Sequence, residues 1–237
     1  MSTDVPPPGD STDVPPPGDS TAARTSPETS LAAGGALSPG HAPEPTAVLG
    51  EESVAFGTLL WVPALDRPDL LAEPVRAALA ARAAIEPDAV AEVRVAEIDP
   101  DLADTLAMTE AYRLPLGASA NCVLVAGRRD GEERVAACVV RASTRADVNS
   151  TVRRMLDVRK ASFWPTERAV EASGMEYGAI TPIGLPPSWR LLVDARVAVG
   201  PAIVGSGVRG SKLLLPGEVL VGFPGVEVVE GLGVPTT

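Results

Sequence analysis

The chain has 237 residues, a formal net charge of −11 and a sequence pI near 4.6. That length suffices for one ordinary domain with a sizeable core, and the acidic total argues against strong electrostatic capture of nucleic acid, so DNA is not an expected partner. No run of about 18 apolar residues occurs, so no membrane span is expected.

Residues 1–50 differ from the rest. They hold ten of the 24 prolines, no aromatic residue and the only histidine, His41. They also contain a direct repeat, Ser2-Thr3-Asp4-Val5-Pro6-Pro7-Pro8-Gly9-Asp10, copied from Ser11 to Asp19. Such a stretch cannot bury enough apolar surface to offset the cost of ordering its backbone, so residues 1–50 read as a disordered Pro/Ser-rich tail and residues 51–237 as the domain. The polyproline pieces could act as a docking element for a proline-binding partner, although a duplicated spacer is the simpler reading. No charged segment followed by an apolar run opens the chain, so no secretory signal is expected. Cys122 and Cys138 lie in apolar, strand-like contexts and read as buried reduced thiols; with the missing signal they point to a cytoplasmic address.

In the domain, Leu70, Leu71, Val75, Leu79 and Ala83 recur at helical spacing and predict a helix over 69–84. Val93, Val95 and Ile98 alternate as a short strand. Asp99 and Pro100 are suited to the N-cap and first position of a helix reaching through Thr105 and Met108. Strands over 121–126 and 135–141 flank Asp130-Gly131, a strong hairpin signal. Residues 144–147 cap a helix to about Leu156, 160–163 form a short strand or turn, and Pro165 starts a helix ending near Gly174. Strands follow at 191–193, 202–204, 211–215 and 226–229. The expected class is mixed α/β, with one curved, largely antiparallel mixed sheet and flanking helices.

The segment from Gly174 to Pro186 is rich in glycine and proline around one threonine. It predicts a stiff loop whose backbone can approach a small polar ligand but which holds no strong base. Gly205-Ser206-Gly207-Val208-Arg209-Gly210 fits a dinucleotide fingerprint by letter, but Leu213-Leu214-Leu215-Pro216-Gly217 follows where a helix would be needed, so a strand turn is expected. With no histidine in the domain and only two cysteines, histidine triads and a zinc site are set aside; no metal or cofactor is expected. Ser206 has no base in sequence reach and reads as a hydroxyl bonded to local backbone. Asp194, ending a strand between two glycine-rich segments, is a candidate for a functional acid, and Lys160 is one of two lysines.

Taken in order, these segments resemble the YbaK/EbsC, or prolyl-tRNA-synthetase-associated, editing domains over roughly residues 68–232. The resemblance rests on the strand Asn121-Cys122-Val123-Leu124-Val125-Ala126 with its hairpin, on Arg159-Lys160-Ala161-Ser162-Phe163, and on Gly178-Ala179-Ile180-Thr181-Pro182-Ile183-Gly184 against a G-x-x-[S/T]-P-x-G element. Val193-Asp194 and Gly205-Ser206-Gly207-Val208-Arg209-Gly210 complete it. It implies hydrolysis of the ester of mischarged tRNA, with the 3′-terminal aminoacyl-adenosine as ligand and an aminoacyl-tRNA synthetase as companion. Asn121 stands where family members carry a lysine. On this reading Asn121, Gly178, Thr181 and Asp194 form the catalytic set. Lys160, Ala179, Pro182, Gly184, Gly205, Ser206 and Gly207 bind substrate. The alternative is a non-catalytic module of the same fold that binds aminoacyl-tRNA or a small ligand.

Overall fold

The computed structural model describes residues 53–236. The tail expected at 1–50, with its repeat and His41, lies outside the described residues.

Strands β1 (Val54–Phe56) and β2 (Leu59–Pro63) form a hairpin that the sequence reading did not anticipate. Helix α1 (Glu73–Ala83) starts later than expected, because Pro74 is tolerated only in a first turn. Two 3-10 turns, Ala64–Asp66 and Pro68–Leu70, take up the chain before it. Helix α2 (Pro87–Ala91) and strand β3 (Arg94–Glu97) follow. The helix expected from Asp99 is split. The Asp99 carboxylate accepts the Asp101 N–H at 2.9 Å and caps only a 3-10 turn, Pro100–Leu102; a separate helix α3 (Thr105–Ala111) comes after it.

Strands β4 (Ala120–Arg129) and β5 (Glu132–Arg141) are longer than expected and turn through Asp130 and Gly131, at φ 52° and 88°. Two successive positive φ values match the twist of the flanking strands. Strand β6 (Thr144–Ala146) precedes Asp147, whose carboxylate accepts the Ser150 and Thr151 N–H groups. The helix it opens is a π turn, Val148–Val152, continued by α4 (Arg153–Met155). Strand β7 (Ala161–Phe163) leads to helix α5 (Thr166–Ser173), which Gly174 ends in the left-handed region. Strands β8 (Arg190–Asp194), β9 (Pro201–Gly205) and β10 (Ser211–Pro216) come next. Helix α6 (Gly217–Val221), not among the expected elements, precedes β11 (Val226–Val229) and β12 (Gly233–Pro235). Residues 206–210 join two antiparallel strands, so the fingerprint-like glycines form a strand turn.

The class is mixed α/β, with a curled, largely antiparallel sheet system and flanking helices. One five-stranded sheet runs β1-β2-β3-β10-β9, antiparallel throughout; the other runs β11-β8-β5-β4-β7, with parallel pairing only at β11–β8 and β8–β5. An isolated bridge between Ser119 and Ile203 brings the start of β4 against β9. Val75, Leu79, Val139, Val193, Leu213 and Leu215 belong to the largest core cluster. A second cluster, with Trp61, Met108, Ile203 and Leu214, lies beneath α3.

Buried Arg141 fixes the corner between these parts. It donates to the carbonyls of Ala118, Pro201, Val197, Val199 and Arg196, tying the entrance of β4 to the connection between β8 and β9. Its guanidinium consumes five carbonyl acceptors that would otherwise be poorly solvated.

Candidate functional site

A cleft of about 360 Å³ opens where α3, the first half of β4, the segment 177–180, β9 and β10 converge. Its walls are mostly apolar, with Met108, Val123, Leu124, Ile180, Ile203 and Val204 among them. An apolar cleft with a few convergent polar groups is the usual form of a small-ligand site.

Four polar side chains define its chemistry. The Asn121 Oδ1 accepts the Thr105 hydroxyl at 2.7 Å, which leaves the amide N–H₂ as the donor available to a ligand. Ser119 is 2% exposed, and its hydroxyl has no hydrogen-bond partner. Lys212 is 6% exposed, and no hydrogen bond or ion pair engages its ammonium among the described residues. Burial pushes that ammonium down to about 8; Arg209 adds to the shift and Asp104 opposes it. Asp104 lines the cleft from the turn before α3. At the mouth stand two exposed aromatic rings, Phe163 and Tyr177, at 63% and 64% exposure.

Strand alternation explains how Lys212 comes to lie inside. On β10, Leu213 and Leu215 pack into the main core, whereas Leu214 joins the cluster under α3, and Lys212 shares that second face. The wall at Gly205 depends on its missing side chain: a Cβ there would collide with the Ala179 carbonyl. The segment 176–179 and the turn 205–207 are stitched together by Glu176 N–H to Gly207 O at 2.8 Å and Gly207 N–H to Ala179 O at 2.9 Å. Arg209 clamps the rim, donating to the Tyr177 and Pro100 carbonyls, while the Glu176 carboxylate accepts its backbone N–H.

Of the residues expected to catalyse or to bind substrate, Asn121, Gly178 and Gly205 share this cleft. The others do not line it, so the expected common cleft of Asn121, Thr181 and Asp194 is not formed. Ala179 lies just behind the wall. Thr181 is fully buried, with its N–H 3.5 Å from the Met175 sulfur and its hydroxyl unpartnered. Pro182 and Gly184 border a different cavity, of about 390 Å³, beside Trp189 and Phe223. Ser206 is buried, 2.6 Å from the Ser211 hydroxyl, and serves the turn. Gly207 packs against Ala72, and Lys160 is exposed and does not line the cleft.

Asp194 is 1% exposed and saturated: Arg196 approaches it at 2.7 Å, and the Gly233 N–H donates to it at 2.7 Å. Burial alone would raise its pKa, but the Arg196 side chain and the backbone donors outweigh that and hold the carboxyl below its usual range. A carboxylate so engaged cannot also hold a ligand amine. Cys122 lines the cleft, but burial pushes its thiol up, so it carries no thiolate at neutral pH.

Sequence reasoning missed Lys212, Ser119, Asp104 and the aromatic rim. The one available signal was a lysine inside an otherwise apolar strand, Ser211-Lys212-Leu213-Leu214-Leu215, where a buried charge needs a reason.

The aminoacyl-tRNA editing domain matches residues 99–223, which contain α3, β4 to β10 and every polar group of the cleft. No curated protein matches the chain. Among solved structures, a candidate trans-editing enzyme for prolyl tRNA synthetase shares 16% identity at a TM-score of 0.55, covering 67% of this chain and 94% of its own. A scaffold protein used for computational epitope grafting shares 15% identity at the same TM-score, covering 67% and 95%. At such identities these neighbours show the fold alone.

Proposed function

The chain belongs to the aminoacyl-tRNA editing domain family, and from that premise we propose that it is a deacylase that hydrolyses the ester of mischarged tRNA in trans. The observation that carries this reading is the cleft's polar set: a buried, unpaired lysine, an oriented amide and a buried hydroxyl, beneath an aromatic mouth.

In the proposed reaction the terminal adenine stacks at the mouth on Phe163 and Tyr177; such base–aromatic contacts contribute roughly 1–3 kcal/mol each. The ester enters the cleft, and its carbonyl oxygen accepts from the Lys212 ammonium and the Asn121 amide. Water adds to the carbonyl carbon, and the proton it loses is relayed through the neighbouring ribose hydroxyl to the ester's ribose oxygen, so that the substrate serves in place of a protein base. The negative charge that develops on the former carbonyl oxygen falls where a preorganised cation and N–H donor await it. Collapse breaks the bond to the ribose oxygen and releases free amino acid and tRNA. Ser119 donates to the water or the ester. A cytoplasmic setting and a synthetase as companion fit this chemistry.

The reading is tested by incubating purified protein with a panel of mischarged tRNAs: the expected result is release of amino acid from at least one. Intact esters at high enzyme concentration would favour the second reading, a binding module of the same fold, which is supported by the want of any histidine or thiolate base in the cleft.

A further inference from the structure

Two opposite charges face the cleft without neutralising each other. The Asp104 side chain is exposed, makes no capping hydrogen bond and forms no ion pair or hydrogen bond among the described residues. Lys212 feels its charge, yet no carboxylate lies within ion-pair distance of the lysine. Asp104 sits on the turn before α3 and Lys212 on β10, so separate parts of the backbone hold the two apart. A carboxylate and an ammonium that could pair but are kept apart across a cavity leave room for a ligand carrying the complementary charges.

An α-aminoacyl ester is such a ligand. Its α-ammonium and its carbonyl oxygen lie on adjacent carbons, one positive, the other gaining negative charge in the transition state. A phosphate is a poorer match for Lys212, since Asp104 would repel it and the surrounding wall of Met108, Ile203 and Val204 would leave it desolvated. Resting on the deacylase reading above, we propose that Asp104 holds the α-ammonium of the aminoacyl group while Lys212 holds its ester carbonyl oxygen, so that the cleft demands a free α-amino group. The substrate class narrows accordingly: esters with a blocked nitrogen, including N-acylated aminoacyl-tRNA and peptidyl-tRNA, are refused, because an amide nitrogen carries no charge and leaves the Asp104 carboxylate unpaired.

The test compares one amino acid esterified to the same tRNA with its amine free and with its amine acetylated, under single-turnover conditions. The wild type is expected to favour the free amine by roughly 10- to 100-fold, the range for a hydrogen bond to a charged group. Asp104→Asn should bring the two rates together, whereas Lys212→Met should slow both. Asp104 is exposed and caps nothing, so the asparagine variant should fold, which its circular dichroism checks. Equal wild-type rates on the two esters, or a preference that survives in Asp104→Asn, would overturn the proposal. If no ester is hydrolysed at all, the deacylase reading fails first, and binding decides this one. A stable adenosine bearing the aminoacyl group through an amide should then bind more tightly than its N-acetyl counterpart, and Asp104→Asn should abolish the difference; equal affinities would sink the idea.

Discussion

Lys212 is the residue on which the cleft's electrostatics turn. Its ammonium is buried among apolar side chains with no partner, a costly arrangement that a hydrophobic replacement would relieve. Lys212→Met should therefore raise the melting temperature while lowering kcat by about 100- to 1000-fold, the loss typical of one oxyanion donor. The pH dependence follows from the lowered pKa. The folded-state value of about 8 lies below the ordinary lysine value, so the charge assigned to the ester oxygen in the proposed reaction is present below pH 8 and is lost as pH rises through it. Across the interval from about 8 up to the unfolded value, the unfolded chain binds more protons, so the lysine's penalty on stability is relieved there. A pH–kcat profile should show a step near 8 in the wild type that is missing from Lys212→Met.

Asp194 poses the opposite case, a buried acid fully employed by its neighbours. Its folded pKa lies below the unfolded one, so its contribution is present above the unfolded carboxylate value near 4 and is lost as pH falls through the folded value. Asp194→Asn should cost about 2 kcal/mol at pH 7, measured by denaturant unfolding, and the difference from wild type should shrink in acid. A variant that kept full stability but lost deacylation would return Asp194 to the site.

At the scale of elements, the cleft wall depends on two segments meeting at backbone level. The stitches between 176–179 and 205–207 exist because Gly205 leaves space for the Ala179 carbonyl. Gly205→Ala forces those backbones apart, which should cost about 1–3 kcal/mol of stability and raise KM for aminoacyl-tRNA more than it lowers kcat, as steady-state kinetics would read. Several elements were legible because their signals are local. The Asp130-Gly131 hairpin, the Asp99 and Asp147 caps and the Gly174 helix stop each act within four residues. The α3 region was misjudged for a physical reason. Asp99 and Pro100 do begin a turn, but its hydrogen bonds are 3-10, and the helix proper starts anew at Thr105. The hairpin of β1 and β2 was not anticipated either; it is held by partners far along the chain, with Trp61 fully buried against the cluster beneath α3.

For the molecule as a whole, the acidic total provides little long-range attraction for tRNA, so on the deacylase reading the contacts of the cleft and its mouth carry much of the affinity. Deleting residues 1–50 should leave the single-turnover deacylation rate unchanged, because every group of the cleft lies between Ala103 and Lys212. A large loss on truncation would assign the proline-rich segment a part in substrate capture.

The sequence alone determined the class of fold, the order of its main strands and helices, the strand-turn nature of the Gly205–Gly210 segment and the resemblance to editing domains. All of these depend on neighbouring residues or on the order of motifs. Only the tertiary structure decided which polar groups share a cavity. Asp104 and Asp194 are both acids at the ends of short elements, and Lys160 and Lys212 are both rare lysines. Which of each pair faces the cleft is set by strand pairing and packing between segments up to about a hundred residues apart, and local sequence carries no record of that distance.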